Sequence, residues 1–326
     1  MSPAPTLEAS LERLSEIRHA TLGDAERADL RDLIAGPHFA AVAVAAEIAA
    51  DEGLEEFIPD LVSAFHRMME SPVKRDPGCR GKASLAEALH RLDAREGELY
   101  RAGIMHRQME PVWGGKKDTA GSLRSACGRG LVGMDAPDAL LLLAESLADP
   151  ELDVRLAAAQ SIAYQGSSHA LPLLRLKALA GDVHNGVVAE CLLSMLRVEP
   201  AESLAFVERF LGSEDSDLAE CAALALGESR AEGALAVLGA WREDAEGRGL
   251  SGAALTAIAM LRSDAAIDYL LGMVVKEPGP VAREAIAALG IHHHDDGLRE
   301  RALVAARRDD LDLSESVETA FGDGGG

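Results

Sequence analysis

One pattern constrains this chain more than any other. A triplet of small or apolar residues, spaced four apart, returns eight times: Ala40/Val44/Ile48, Gly81/Leu85/Leu89, Leu123/Cys127/Leu131, Val154/Ala158/Ile162, Val187/Cys191/Met195, Leu218/Ala222/Leu226, Leu250/Ala254/Ile258 and Val281/Ala285/Leu289. Spacing of i, i+4, i+8 marks one face of a helix. Successive triplets start 41, 42, 31, 33, 31, 32 and 31 residues apart. So regular a period predicts an array of repeats rather than a globule with one centre.

Between the triplets lies a second amphipathic stretch, as in Ala139 to Ala144, Ala170 to Leu174, Leu204 to Val207, Ala234 to Leu238 and Ile267 to Leu271. Polar turns with helix breakers join the two: Asp149-Pro150, Gly181-Asp182, residues 212–215 and Pro278-Gly279-Pro280. Each unit therefore reads as helix A, turn, helix B, turn. A single helical hairpin cannot bury both faces, and stacking in series supplies the missing partner. Composition agrees. Half the chain is hydrophobic but only 3% is aromatic. A core built from Ala, Leu, Val and Ile favours closely packed helices and disfavours sheet.

The segment Asp149-Pro150-Glu151-Leu152-Asp153-Val154-Arg155, continuing through Ala157, Ala158 and Ala159 to Ile162, resembles the turn and second helix of a HEAT repeat. The short period is similar to the HEAT-like subtype of the phycobilisome lyases. That resemblance spans roughly residues 24 to 310. It implies an all-α fold, a right-handed α-solenoid of about eight helical hairpins. It also implies that a turn Asp pairs with an Arg or Lys early in helix B. Asp76 precedes Lys82, Asp118 precedes Arg124 and Asp149 precedes Arg155, each by six residues. Asp182 has Val188 at that place. The expected organisation is an N-terminal helical cap over residues 1–36, with one helix around Leu7, Leu11, Leu14 and Ile17 and a second capped by Asp24. The repeats follow over 37–310, then an acidic, Gly-rich tail over 311–326 with a short last helix and a disordered end.

Net charge is −22. Polyanionic nucleic acid and anionic membranes reward clustered cations, so neither is an expected partner. Residues 61–131 break the trend, with 13 Lys and Arg against 8 Asp and Glu. The same segment holds two long A-to-B connections, 71–78 and 110–118. Adjacent helices pack on the order of 8–10 Å apart, so these loops should lie side by side. Further along, the turns are acidic: Asp149, Asp182, Glu214/Asp215/Asp217 and Glu243/Asp244/Glu246. Lys74, Arg75, Lys82, Arg107, Lys116, Lys117 and Arg124, with Trp113, form a candidate ledge for a phosphate, a carboxylate or an acidic peptide. An aromatic ring beside cations adds an apolar or cation–π contact. The competing reading has Trp113 folding back near Tyr100 and Met109 as a plug, leaving the lysines as solvated surface. Gly114-Gly115-Lys116-Lys117 is not a phosphate-binding P-loop, because the pattern's first glycine and a preceding parallel strand are both missing.

Cys79, Cys127, Cys191 and Cys221 form no CxxC pair and read as structural thiols of a reducing compartment. No signal-peptide pattern opens the chain, and no run of about 18 apolar residues suggests a membrane span. A cytoplasmic setting is the expectation. His292-His293-His294-Asp295-Asp296 carries ligand types for a metal, but neighbours on a turn rarely converge on one ion. His106 and Glu110, four apart, read as a surface hydrogen-bonded pair on one helix face. No catalytic residues and no cofactor are assigned. The leading expectation is a non-catalytic scaffold or adaptor for a protein partner, with self-association through opposite charges as an option. The alternative is a HEAT-like lyase or another enzyme that binds a small ligand or chromophore.

Overall fold

The computed structural model describes residues 5–308 and 311–322. Contacts divide the chain into two compact units, Met1–Gln165 and Gly166–Gly326. Both are all-α repeat arrays of the solenoid kind, apart from one small β-hairpin in the first.

The N-terminal unit opens with α1 (Leu7–His19), started by the Thr6 side chain accepting from the Ala9 N–H. Helix α2 (Asp24–Ala35) follows, then α3 (Phe39–Asp51), α4 (Ile58–Met69), the short α5 (Pro72–Arg75), α6 (Arg80–Arg91) and α7 (Gly97–Ile104). The cap of α2 is Gly23, whose N–H donates to Glu26, so Asp24 is the first helical residue instead. After α7 come two strands, β1 (Met109–Val112) and β2 (Gly115–Asp118), then α8 (Gly121–Gly133), α9 (Ala139–Ser146) and α10 (Leu152–Gln165). The hairpins are α2/α3, α4/α6, α7/α8 and α9/α10. Their second members, α3, α6, α8 and α10, pack in succession. Leu85, Leu89, Leu123, Cys127, Leu131, Val154 and Ile162 are all buried along that row. Each large aliphatic side chain so buried contributes about 1.5–3 kcal/mol relative to exposure. In α3 the most deeply buried positions are Val42, Ala45, Ala46 and Ala49, while Ala40 and Val44 are half-buried. That helix is apolar almost all round, so spacing alone could not decide its inward face.

The C-terminal unit contains α11 (Leu171–Ala180), α12 (Asn185–Val198), α13 (Pro200–Leu211), α14 (Ser216–Ser229), α15 (Ala234–Gly247), α16 (Ser251–Met260), α17 (Asp264–Lys276), α18 (Gly279–Leu289), α19 (Asp296–Ala306) and α20 (Ser314–Phe321). Here α12, α14, α16 and α18 form the inner row. Their small residues let the helices approach closely. A Cβ on Gly227 of α14 would lie 2.3 Å from the Ala257 carbonyl oxygen of α16. Side-chain caps start several helices: Asp215 for α14, Ser263 for α17 and Asp295 for α19. Asp182 takes Lys177 from the preceding helix at 2.8 Å. Glu243, Asp244 and Glu246 lie within the last turns of α15 rather than in a connection, since that helix continues to Gly247. The tail forms the helix α20. Residues 323–326, where the sequence suggests a disordered end, lie outside the described residues. No helix among the described residues is long and apolar enough to cross a membrane.

Candidate functional site

The connection between α7 and α8 departs most from the repeat. Strands β1 and β2 pair antiparallel, with Met109 opposite Asp118, Glu110 opposite Lys117, Pro111 opposite Lys116 and Val112 opposite Gly115. Trp113 and Gly114 form the two-residue turn. Gly114 has φ +89°, a conformation that glycine adopts without steric cost. Every residue from Pro111 to Lys117 is exposed, and Trp113 is 102% accessible. The plug arrangement is therefore absent. Trp113 stands off the body at the tip of a projecting hairpin, because the strand pair carries it away from Tyr100, which is buried. Lys116 and Lys117 are exposed and make no ion pair among the described residues.

The hairpin projects from a fixed base. Glu110 turns inward, where its Oε1 accepts from the Gly78 N–H at 2.7 Å, from Gln108 Nε2 at 2.5 Å and from the Thr119 hydroxyl at 3.0 Å. The Gln108 donation leads the effects that hold the Glu110 carboxyl below its ordinary range, with the Gly78 and Thr119 donors adding to it against desolvation. Gln108, itself buried, also donates Nε2 to the Asp76 carbonyl at 2.8 Å. The two long connections thus touch through Asp76–Gln108 and Gly78–Glu110. His106 lies beyond the end of α7 with its ring against Gln108, so it shares no helix face with Glu110. Burial holds its imidazole below the usual value, opposed by the Gln108 contact and reinforced by the nearby charge of Lys82.

Under this base runs a buried ionic chain. The Lys82 ammonium sits 3.0 Å from the Asp76 carboxylate, both side chains fully buried. Asp76 also accepts from the Gly81 and Lys82 N–H groups at 2.8 and 2.9 Å. Arg124, whose side chain is 1% exposed, donates to Asp118 at 2.7 Å, to Asp149 at 2.9 Å and to the His106 carbonyl at 3.1 Å. Arg107 adds a second contact to Asp149 at 2.8 Å. Burial pushes the Asp118 carboxyl up, but the Ala120 and Gln108 N–H donors and Arg124 outweigh it and hold the group below its usual value. Arg155 donates to the Asp149 and Pro150 carbonyls at 2.8 and 3.0 Å.

This geometry corrects the single cationic ledge expected above. Lys82 and Arg124 are enclosed beside carboxylates, and Arg107 leans on Asp149, so these three do not present free charge to a ligand. Asp149 is buried too and drops out of the acidic edge. What remains accessible is Trp113, Lys116 and Lys117 on the hairpin, and Lys74 and Arg75 on α5. The glycine pair Gly114-Gly115 marks a tight turn in the sequence, but the two-residue turn falls one position earlier, on Trp113 and Gly114.

Nothing in the site resembles a nucleophile with an accessible base. Cys79, Cys127 and Cys191 are buried, and desolvation pushes the thiols of Cys79 and Cys191 up to about 12. The His292 ring nitrogen contacts the Ala259 carbonyl at 3.0 Å, and Asp295 caps α19. Among the described residues no group of three His, Cys, Asp or Glu is placed to hold a metal ion.

Fold and site together define a helical-repeat protein with a projecting, basic-tipped hairpin. No family model matches the chain, and no curated protein does. Among solved structures, the chain is similar to the complex of CpcE and CpcF of the phycocyanin lyase from Nostoc sp. PCC7120, at 19% identity and TM-score 0.36, over 73% of this chain and 89% of that one. It is also similar to an engineered protein, at 17% identity and TM-score 0.36, over 96% and 93% of the two chains. A likeness of that degree does not extend to function.

Proposed function

We propose that this chain is a non-catalytic adaptor whose HEAT-like repeats present the Met109–Asp118 hairpin to an acidic feature of a protein partner. The observation that carries this reading is the state of Trp113: a fully exposed indole, beside two unpaired lysines, on a base fixed by buried hydrogen bonds. Exposed tryptophans at interfaces commonly anchor binding, since a large rigid ring loses little entropy when covered. Lys116 and Lys117 add attraction for carboxylates and speed encounter more than they add affinity. The acidic C-terminal unit offers a second surface of opposite sign, including Glu214, Asp215 and Asp217, for a basic partner or another copy of the chain.

The test is a photo-crosslinker placed at position 113 in cells, with and without Lys116→Glu/Lys117→Glu. The reading expects discrete crosslinked partners that the charge reversal removes. Capture of the same partners in equal yield by intact and reversed protein defeats it.

A further inference from the structure

A second basic feature lies apart from the hairpin. Where α4 meets α5, the N-terminal unit holds a cleft of about 440 Å³ walled by Gly36, Pro37, Arg67, Ser71, Lys74 and Arg75. Three cations face one space. Arg67 is fixed there, because its Nη2 donates to the Ile34 carbonyl at 2.7 Å and the Gly36 carbonyl at 3.3 Å at the end of α2. Those acceptors are neutral and leave its charge uncancelled. Arg75 pairs with Glu70 at 3.0 Å, but both partners are well exposed, and such pairs are weak. Lys74 pairs with no carboxylate among the described residues. Burial and repulsion from Arg75 lower the Arg67 guanidinium from its usual value, against a smaller attraction from Glu70. The end of α5 is anchored next to the cleft, since the Asp76 carboxylate accepts from the Gly81 and Lys82 N–H groups and its carbonyl accepts from Gln108 Nε2. A protein of net charge −22 thus keeps a preformed cationic cleft with too little counter-charge inside.

We propose that this cleft is a binding site for a phosphomonoester group, held by Arg67, Lys74 and Arg75 with the Ser71 hydroxyl as a further donor. A phosphomonoester carries about −1.5 to −2 charges at pH 7 and three acceptor oxygens. Two guanidinium groups and an ammonium supply matching donors, and charge-assisted bonds of this kind are the strong ones. The cleft is larger than a phosphoryl group needs, so it also admits part of the molecule that carries it. That carrier is a small metabolite or a phosphorylated side chain of a partner. The site does not depend on the hairpin reading.

The experiment is calorimetric titration of the full chain with phenyl phosphate, phenylsulfonate and a short phosphoserine peptide. It is repeated on Lys74→Ala/Arg75→Ala and, as a control, on Lys116→Ala/Lys117→Ala, with folding checked by circular dichroism. Lys74 and Arg75 are exposed, so their removal spares the core. Phenyl phosphate should bind the intact chain and the control alike, and at least about tenfold more weakly to Lys74→Ala/Arg75→Ala. Binding should also weaken about tenfold from pH 7.5 to pH 5, because the second phosphate ionisation lies near 6. A peptide that binds far more tightly than phenyl phosphate assigns the site to a phosphorylated partner, and the reverse order assigns it to a metabolite. The proposal is overturned if neither phosphorylated probe binds at millimolar concentration. Phenylsulfonate binding as well as phenyl phosphate also overturns it, as does a double variant that binds like the intact chain.

Discussion

Replacing Arg124 by Met tests the buried ionic chain directly. The substitution removes donors from Asp118, Asp149 and the His106 carbonyl while roughly keeping side-chain length. Breaking a buried ion pair from one side costs about 3–5 kcal/mol, since a charge is left without compensation. Here the remaining donors soften the loss. Asp149 keeps Arg107 and the Glu151 N–H, and Asp118 keeps the Gln108 and Ala120 N–H groups. The lower end, about 3 kcal/mol, is therefore expected. For a unit of this size each kcal/mol moves the midpoint by about 2–4 °C, so the N-terminal unit should melt about 6–12 °C lower in scanning calorimetry. Arg124→Lys should fall between, because one ammonium cannot bridge both carboxylates. The pH dependence supplies an internal check. The folded Asp118 carboxyl lies below its ordinary value. Its contribution is present above the unfolded value, near 4, and disappears as pH falls through the lower folded one. The gap between intact and Arg124→Met protein should therefore narrow in acid. A midpoint change under about 2 °C at neutral pH would refute the assignment of Arg124 as a buried bridge.

Four further outcomes rest on particular contacts. Gly227→Ala should destabilise the C-terminal unit by about 1–3 kcal/mol in urea unfolding, since its methyl meets the backbone of α16, which cannot rotate aside. Gly272→Ala, also in a helix interior but facing open space, should stabilise by about 0.5–1 kcal/mol. In fluorescence, acrylamide should quench Trp113 strongly, whereas Trp113→Phe should leave the blue-shifted, protected emission of Trp241, which is buried with its indole N–H on the Leu211 carbonyl; equal quenching of both proteins would contradict the projecting hairpin. Glu110→Ala should speed amide hydrogen exchange across 109–118 by loosening the hairpin from Gly78, Gln108 and Thr119, while Lys116 and Lys117 stay intact.

The repeat was legible because it is written in helix spacing. The triplets beginning at Val154, Val187, Leu218 and Val281 lie within the inner helices α10, α12, α14 and α18, and Leu250 sits one residue before α16. Small residues four apart have few other uses at a constant period. The hairpin was not legible as strands. Its eight paired residues include a proline, a glycine and two adjacent lysines, a poor strand composition. What holds it in place comes from contacts across the fold, chiefly Glu110 on Gly78, 32 residues away in sequence.

Charge shows where counting fails and position succeeds. The excess of cations over 61–131 is real, but a count treats Lys82 and Lys116 alike. Their surroundings differ completely, one enclosed against Asp76 and the other open to water. Burying an ammonium or a guanidinium without a partner is prohibitive, so an enclosed cation needs a carboxylate placed by the same local geometry. An Asp six residues earlier meets that need across a turn and the first helical turn that follows. Lys82 and Arg124 have one; Lys74, Arg75, Lys116 and Lys117 do not. The cations that register with an Asp are consumed in fixing the scaffold. Some out of register are held by a carboxylate from elsewhere in the fold, as Arg107 is by Asp149 and Arg101 by Asp138, and those left for a ligand fall on two separate features, the hairpin and the α5 cleft. A chain of this kind should therefore lose stability when the first group is altered and lose binding when the second is. Mixed behaviour in either set, such as a large fall in midpoint from Lys116→Glu, would break that division.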